Sequence, residues 1–407
     1  MDLIDSVSRD AIEALRRCCT PQGLKASGRS VGHHQIWARD SIIASLGARL
    51  ANDGGIQAAL RAGLRTLRDC QVSNGAIPNN VDCATLHPNF RAYADGGLWW
   101  IIGSALLEPD PATVRAILRW YECQDVDQSG LLSMQESSDW QDLFCTRGKG
   151  LYLNCLYVLA LRAAAELFES SDPAESRRCL FLAGRAADAV NRWFWYAGDG
   201  NLLRHISHTF STESQGAEDS LGRKRWFPEK RCLAGESYYL PYLGFRAAGE
   251  WFDSLGNLLA ILAGIADSQR TAGILSFFTR HALDLWPVRS LTPVVQPGDP
   301  DWRDYYGSLN APYCYHNGGV WPFIGGFYVA ALTAAGCRHE AAEALQRLAE
   351  LNRRGEFNEW HHGESGEPMG VRDQAWSAGM YLVAWDSVRR GRVALVATAG
   401  AGPECGR

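Results

Sequence analysis

The sequence predicts an all-α fold in which helix hairpins close into a toroid, with an inner ring of helices inside an outer ring. Apolar residues recur at helical spacing nearly throughout, as at Ile56, Leu60, Leu64 and Leu67, and no convincing run of strands interrupts them. Helices with one polar face tend to alternate with helices that are apolar nearly all round. A helix that is apolar on every face must be buried on every face, which is the situation of an inner helix.

The individual helices are predicted from their patterns and their start signals. The segment from Ile56 to Leu67 is amphipathic. Asp110-Pro111 and Asp172-Pro173 each supply an N-cap followed by proline at the first helical position. Leu151 to Leu167 and Ser254 to Ala266 carry very little charge, and we predict that both form buried helices.

The C-terminal part of the chain continues the same pattern. Tyr305 to Cys337 carries no formal charge, but Asn, Gly and Pro residues interrupt it, so we interpret it as a loop followed by a buried helix and not as a membrane span. His339 to Asn352 is amphipathic. The patterns predict roughly twelve or thirteen helices. A superhelical solenoid of helix pairs is the alternative fold, although no fixed-period repeat supports it. We expect one domain over residues 1–392 and a frayed, Gly- and Ala-rich tail over 393–407.

The composition excludes several classes of protein. The 407 residues are 46% hydrophobic and carry 40 basic against 45 acidic side chains, which argues against disorder and against nucleic-acid binding. The 12 cysteines are scattered without a C-x-x-C pair, so neither a disulfide framework nor structural zinc is expected. The N-terminus is acidic and does not resemble a signal peptide, which predicts a cytoplasmic protein. The 15 Trp and 14 Tyr exceed what a core of this size requires.

The common catalytic motifs are absent, and one metal motif matches only in outline. The chain has no G-x-S-x-G, P-loop, dinucleotide-binding or H-E-x-x-H signature. Asp125, Asp127, Ser129, Gly130 and Glu136 occupy positions 1, 3, 5, 6 and 12 of a calcium loop. The alternative is a turn that caps the next helix, and no paired loop occurs elsewhere.

The strongest functional signal is a set of carboxylates embedded in aromatic and glycine-rich segments, each at or just before the start of a predicted buried helix. The five clusters are 37–40, 93–100, 136–142, 315–322 and 357–362. Singly, each has a structural interpretation, such as an ion pair between Arg39 and Asp40 or core packing of Trp99 and Trp100. Together they are hard to explain by packing alone, and in a toroid all five would meet at one mouth of the barrel.

Acidic side chains that converge with aromatic rings suit a carbohydrate. A sugar presents apolar C–H faces that stack on indole rings and hydroxyls that bind carboxylates and guanidinium groups. Cleavage of a glycosidic bond needs one carboxylic acid to protonate the leaving oxygen and a second carboxylate that activates water or attacks carbon. Two acids from different segments meet that need.

Six segments, in this order, resemble the inverting glycoside hydrolases with an (α/α)6 barrel, namely the alkaline/neutral invertases and the catalytic domain of amylo-α-1,6-glucosidase (glycogen-debranching) proteins. The segments are Trp37-Ala38-Arg39-Asp40, Gly75-Ala76-Ile77-Pro78-Asn79, Asp95-Gly96-Gly97-Leu98-Trp99, Phe252-Asp253-Ser254-Leu255-Gly256-Asn257, Tyr315-His316-Asn317-Gly318-Gly319-Val320-Trp321-Pro322 and Gln374-Ala375-Trp376-Ser377. The resemblance covers most of residues 30 to 390. It implies a six-hairpin barrel that requires no metal or organic cofactor.

The resemblance also implies roles for individual residues. Asp142 corresponds to the general acid and Glu359 to the general base, although Asp139 and Glu136 lie close enough to Asp142 to be alternative acids. Many relatives carry a glutamate where this chain has Tyr152, which leaves the substrate open. The residues that would bind the sugar are Trp37, Arg39, Asp40, Asp95, Trp99, Trp140, His316, Asn317, Trp321, Trp360, Gln374 and Trp376.

The expected function is inverting, exo-acting hydrolysis of an α-glucosyl bond in sucrose or in the ends of α-glucans and oligosaccharides. Gly363 to Glu367 is closer to the invertase pattern, and Gln374 to Ser377 to the debranching pattern. The partner is a small carbohydrate, with no nucleic acid and no membrane; the oligomeric state is not readable. The inverting mechanism predicts carboxyl groups about 6.5–9.5 Å apart. The alternatives are a catalytically silent sugar-binding or scaffolding toroid and a calcium-regulated helical module.

Overall fold

The structure, a computed structural model, describes residues 3–29, 33–198, 233, 235–244 and 247–393, so the predicted tail beyond Val393 lies outside the described residues. Twelve α-helices lie within them. They are α1 (Leu3–Cys18), α2 (Ala38–Ala48), α3 (Gly54–Arg68), α4 (Gly96–Leu107), α5 (Pro111–Glu122), α6 (Leu151–Phe168), α7 (Pro173–Trp193), α8 (Ser254–Leu262), α9 (Ser268–Arg280), α10 (Pro322–Ala334), α11 (Arg338–Gly355) and α12 (Ala375–Arg390). A short 3₁₀ helix spans Asp304–Ser308.

Very short strands connect these helices. They are β1 (Cys19–Thr20), β2 (Gly23–Leu24), β3 (Gln35–Trp37), β4 (Asn80–Asp82), β5 (Pro88–Asn89), β6 (Lys149–Gly150), β7 (Trp195–Tyr196), β8 (Tyr238–Tyr239), β9 (Tyr242–Leu243), β10 (Phe252–Asp253), β11 (Leu291–Thr292), β12 (Trp360–His361) and β13 (Pro368–Met369). All the pairings are antiparallel. The sequence did not predict them, because two or three residues are too few to show an alternating pattern.

The even-numbered helices form the interior of the molecule. Each contacts the next in the order α2, α4, α6, α8, α10 and α12, and α12 contacts α2. All eleven residues of α2 and twelve of the thirteen in α10 are buried. The odd-numbered helices pack outside this cycle and bury one face each, as α3 does with Ile56, Leu60, Leu64 and Leu67. The predicted alternation of half-buried and fully buried helices is confirmed for the described residues.

Several predicted helix boundaries are also confirmed. Helices α5 and α7 begin at Pro111 and Pro173, and the carboxylates of Asp110 and Asp172 accept hydrogen bonds from the backbone N–H groups of Thr113 and Glu175. Such an N-cap is worth about 1 kcal/mol. The uncharged segment after Tyr305 is a loop followed by the buried helix α10, as predicted.

The end of one buried helix departs from the prediction. The apolar run from Ser254 to Ala266 was predicted as one helix, but α8 ends at Leu262, because Gly264 adopts a left-handed conformation (φ +60°) that terminates the helix.

Within the part of the chain that the structure describes, α6 is the one helix long and apolar enough to cross a membrane. It is 78% buried within the protein, as core helices are, so it is weak evidence for a membrane span.

The strands hold the entrances of the inner helices in place. Strand β3, paired with β4, leads directly into α2, and β6, paired with β9, leads into α6. Strand β10, paired with β11, leads into α8. The backbone of Val320 is similarly bridged to His361 just before α10 begins. The starts of the inner helices are therefore fixed by backbone hydrogen bonds.

Inner helices α2 and α12 approach so closely that glycine is required between them. A Cβ atom on Gly47 would lie 1.8 Å from the carbonyl oxygen of Gly379. We expect Gly47→Ala to lower the free energy of unfolding by at least about 3 kcal/mol, because a backbone atom must move to admit the methyl group. Thermal melting measures this.

The matched control is Gly184→Ala on the exposed side of α7, where the added Cβ meets no atom within 4 Å. There alanine should raise the free energy of unfolding by about 0.5–1 kcal/mol, because it removes backbone freedom from the unfolded chain. Equal melting temperatures for the two variants would contradict the close approach of α2 and α12.

Candidate active site

The five predicted clusters meet at the beginnings of the inner helices, and Arg39 in the first turn of α2 lies at their centre. Its Nη1 donates to both carboxylate oxygens of Asp95, at 3.3 and 3.2 Å, and Nη2 lies 3.8 Å from Asp142 Oδ2. Its Nε lies 3.7 Å from Asp40 Oδ2. Arg39 is only 3% exposed. Burial lowers its pKa, but the three carboxylates raise it further, so this buried guanidinium stays charged.

Behind Arg39 lies a fully buried hydrogen-bond chain. Tyr152, in the first turn of α6, donates its hydroxyl to Asp95 Oδ2 at 2.8 Å and accepts a 2.7 Å hydrogen bond from Trp99 Nε1. Asp95 has no exposed surface and Trp99 is 2% exposed. Tyr152 is thus part of the support for Arg39. Asp95 and Trp99, both predicted to bind sugar, lie in this supporting layer.

Aromatic rings form one wall of the site. Trp321 at the start of α10 stacks on His316, with ring centroids 5.4 Å apart and an angle of 18°. Trp140 stands edge-on to both rings, at 5.2 Å from His316 and 5.5 Å from Trp321. Trp376 in α12 stacks on Phe323 at 4.2 Å. The three indoles come from three of the predicted segments.

Glu359 approaches the site from the segment just before β12. Its Oε2 accepts a 3.3 Å hydrogen bond from the backbone N–H of Val371, and its Oε1 lies 3.8 Å from His33 Nε2. A Cβ on Gly370 would lie 2.5 Å from Oε2, so glycine is needed for the chain to pass this carboxylate. Glu359 is followed by Trp360, whose ring lies 5.8 Å from that of Tyr315.

Burial raises the pKa of three acids at the site, Asp142, Glu359 and Asp40. The pKa of Asp142 is raised by burial and by Asp95, while Arg39 opposes the rise. The pKa of Glu359 is raised by burial, Asp40 and Asp142, while His33 opposes the rise. Burial raises the pKa of Asp40 to about 6. Arg39 lies next to both Asp40 and Asp142, and the Tyr315 ring contacts both Trp321 and Trp360, so the segment of Glu359 lies against the same aromatic group.

The alternative acids differ from Asp142 in accessibility. The side chain of Asp142 is 22% exposed. Asp139 is 1% exposed, and its Oδ1 accepts hydrogen bonds from the Gln141 N–H and the Thr146 hydroxyl. Burial raises the pKa of Asp139 to about 7. Glu136 is bound by Arg303, whose Nη2 lies 2.6 Å from its Oε2.

The remaining predicted sugar-binding residues divide into two groups. Trp37 and Gln374 immediately precede α2 and α12, at the mouth of the site. Asn317 is directed away from it, because its amide donates to the carbonyls of Val295 and Asn310 and accepts from the Val295 N–H. Asn317 therefore shapes the loop before α10.

The calcium-loop pattern has other partners in the structure. Asp125 accepts a hydrogen bond from the Gly130 N–H at 3.0 Å and pairs with Arg185, while Asp127 pairs with Lys149 at 2.8 Å. The described residues contain no group of three or more His, Cys, Asp or Glu side chains that could hold a metal ion. The structure favours a turn, but this turn does not cap a helix, because no helix begins between Asp125 and Leu151.

Sequence analysis missed three residues at the site. His33 and Gly370 contact Glu359, and the pKa of Tyr315 is raised well above its usual value by burial and by the nearby acids Glu359 and Asp142. A single histidine or glycine in a loop carries no pattern that distinguishes it. Tyr315 belonged to a predicted cluster but was given no role.

Two solved structures have this fold at low sequence identity. GH63 mannosylglycerate hydrolase from Thermus thermophilus matches with a TM-score of 0.61 at 15% identity, over 93% of this chain and 100% of that one. A bacterial glucoamylase complexed with acarbose matches with a TM-score of 0.61 at 14% identity, over 95% of this chain and 56% of that one. The fold is therefore that of the mostly helical glycoside hydrolases.

The chain belongs to the alkaline and neutral invertase family, whose family model matches residues 91–390. Neutral/alkaline invertase 1, mitochondrial, from Oryza sativa subsp. japonica is 25% identical in an alignment 326 positions long, gaps included, that covers 72% of this chain and 50% of that protein. Cytosolic invertase 1 of the same organism is 23% identical in an alignment of 439 positions that covers 92% of this chain and 77% of that protein. The chain thus spans about half the length of the first relative. The predicted resemblance to these invertases is confirmed.

Proposed function

We propose that the protein is an inverting, exo-acting glycoside hydrolase that cleaves an α-glucosyl bond, with Asp142 as general acid and Glu359 as general base. The observation that carries the proposal is that two partly accessible carboxyl groups come from different segments and flank one group of aromatic rings. Asp142 lies beside Arg39 and follows Trp140, and Glu359 lies beside His33 and precedes Trp360. Both have side chains that are mainly buried yet accessible, at 22% and 11% exposure. Family membership supports the same reaction.

The surroundings support a division of labour between the two acids. Burial favours the protonated form of Asp142, which donates to the glycosidic oxygen. Glu359 must be ionised to activate water, and the Val371 N–H together with His33 favours its ionised form. In an inverting enzyme the water occupies the space between the carboxylate and the sugar.

Several buried polar atoms around these acids support a subsite for a hydroxyl-rich ring. In the part of the chain that the structure describes, six of them form no hydrogen bond. They are Trp37 Nε1, Arg39 Nε, Trp140 Nε1, His316 Nδ1, Gln374 Oε1 and Trp376 Nε1. Sugar hydroxyls would satisfy such atoms, and the indole faces would pack on the C–H face of the ring. We assign Asp40, Trp321 and Trp360 to the same subsite.

We further propose that residues 1–392 form one (α/α)6 toroid that acts on a small carbohydrate in the cytoplasm. The closed sequence of contacts among α2, α4, α6, α8, α10 and α12 supports the toroid. The ten described cysteines are all free, which is typical of a reducing compartment. Among the relatives, one is named as cytosolic and another as mitochondrial.

Sucrose is the first substrate to test, because the relatives are named as invertases. Glucose release should be measured with sucrose, trehalose, maltose, isomaltose and isomaltotriose. Release from one of them identifies the substrate and supports the hydrolase. If no glucose appears but a sugar still raises the melting temperature, the protein binds carbohydrate without cleaving it, and the proposed activity is wrong for this panel.

A further inference from the structure

His33 is the one basic side chain, among the described residues, within 4 Å of the Glu359 carboxylate. Its Nε2 lies 3.8 Å from Glu359 Oε1, and the two side chains are 33% and 11% exposed. The imidazole also stands edge-on to Trp37, with ring centroids 6.2 Å apart and an angle of 82°. No motif and no family segment pointed to this residue.

The other groups that face Glu359 come from four elements. Asp40 in α2 and Asp142 before α6 both raise the pKa of Glu359. Glu359 in turn raises the pKa of the Tyr315 hydroxyl, which precedes α10. The Val371 N–H donates a neutral hydrogen bond. Glu359 is thus surrounded by acids and apolar rings, an environment that favours its protonated, inactive form.

We propose that His33 is a positioning residue of the hydrolysis: its imidazolium holds the Glu359 carboxylate in place and keeps it ionised for activating water. The edge contact with Trp37 orients the ring. The inference rests on the proposed role of Glu359 as general base.

The sign of the expected effect follows from the charges. Without the imidazolium, Glu359 is more easily protonated and its pKa rises, so the base becomes inactive at higher pH. We expect His33→Gln to move the acidic limb of the kcat/KM profile upward by about one pH unit, which is at the low end of the effect of a neighbouring opposite charge. The plateau kcat should fall by less than about tenfold, because His33 does not contact the reacting atoms.

The experiment compares His33→Gln with His34→Gln on the substrate that the sugar panel identifies. His34 is the adjacent, exposed histidine, and it acts on Asp82 instead of Glu359. His33→Lys, which keeps a cation, should restore the wild-type acidic limb. An acidic limb that His33→Gln leaves unmoved, or that His34→Gln moves equally, overturns the proposal.

A second readout does not depend on activity. The ring signals of His33 can be compared by NMR in the wild type and in Glu359→Gln at one pH, and they should shift when the carboxylate 3.8 Å from Nε2 is replaced. Unchanged ring signals overturn the pairing. Full activity of Glu359→Gln instead overturns the proposed general base. If Glu359→Gln is inactive and His33→Gln has the wild-type profile, only the role of His33 is wrong.

Discussion

Asp142→Asn and Glu359→Gln are each expected to lower kcat on the cleaved α-glucoside by a factor of about 10²–10⁴. Asparagine at 142 keeps the shape of the side chain but has no proton to give to the leaving oxygen. Glutamine at 359 cannot accept a proton from water. Both side chains are partly accessible, so neither change should unfold the protein. Steady-state kinetics measures the loss, and a sugar-induced rise in melting temperature shows that binding survives.

Two neighbouring carboxyl groups provide the controls. Glu136→Gln should keep the wild-type kcat, because Glu136 is engaged by Arg303. Asp139→Asn tests the alternative acid, which is 1% exposed and bound by Thr146 and Gln141. If Asp139→Asn loses turnover and Asp142→Asn retains it, the general acid is Asp139 and not Asp142.

Asp95→Asn is expected to lower the free energy of unfolding by about 3–5 kcal/mol, because it removes the buried carboxylate to which Arg39 Nη1 donates. Arg39 is 3% exposed and Asp95 is fully buried, so solvent cannot replace the lost charge. The same change also removes a negative charge that raises the pKa of Asp142, so the pKa of that acid falls. The alkaline limb of kcat/KM, which reports loss of the acid's proton, should therefore move to lower pH.

Thermal melting and the pH profile of the remaining activity test this account of the guanidinium. The double variant Arg39→Met with Asp95→Asn should regain much of the lost stability, because the buried cation is removed together with its partner. Unlike Asp95→Asn, the double variant should be inactive, since Arg39 faces Asp142 at 3.8 Å. A melting temperature of Asp95→Asn equal to that of the wild type would show that Arg39 does not depend on Asp95.

The sequence predicted the inner helices well, because burial on every side leaves a composition that can be read directly. Helix α6 begins at Leu151, where its apolar run begins. The end of α8 was predicted too late, since the apolar pattern continues to Ala266 while the backbone turns at Gly264. The paired strands escaped prediction because each has only two or three residues, and some of their partners lie far apart in the chain, as Lys149 and Leu243 do.

The sequence predicted which segments form the candidate site, but not which of their residues face the site and which support it from behind. Arg39 and Asp95 both occur in family-like motifs, yet Arg39 faces the site while Asp95 and Tyr152 support it from behind. Asn317 also lies in a family-like motif, but its side-chain amide donates hydrogen bonds to the carbonyls of Val295 and Asn310. Sequence spacing indicates which residues come near the site, whereas the direction of a side chain depends on tertiary hydrogen bonds.

The anomeric form of the first glucose released tests the central claim most directly. Proton NMR can follow the reaction on the cleaved α-glucoside, with enough enzyme to act faster than glucose mutarotates. If Glu359 directs water to the face opposite the leaving group that Asp142 protonates, β-glucose must accumulate first. Accumulation of α-glucose would mean retention through a covalent intermediate, and would contradict the inverting mechanism proposed for Asp142 and Glu359.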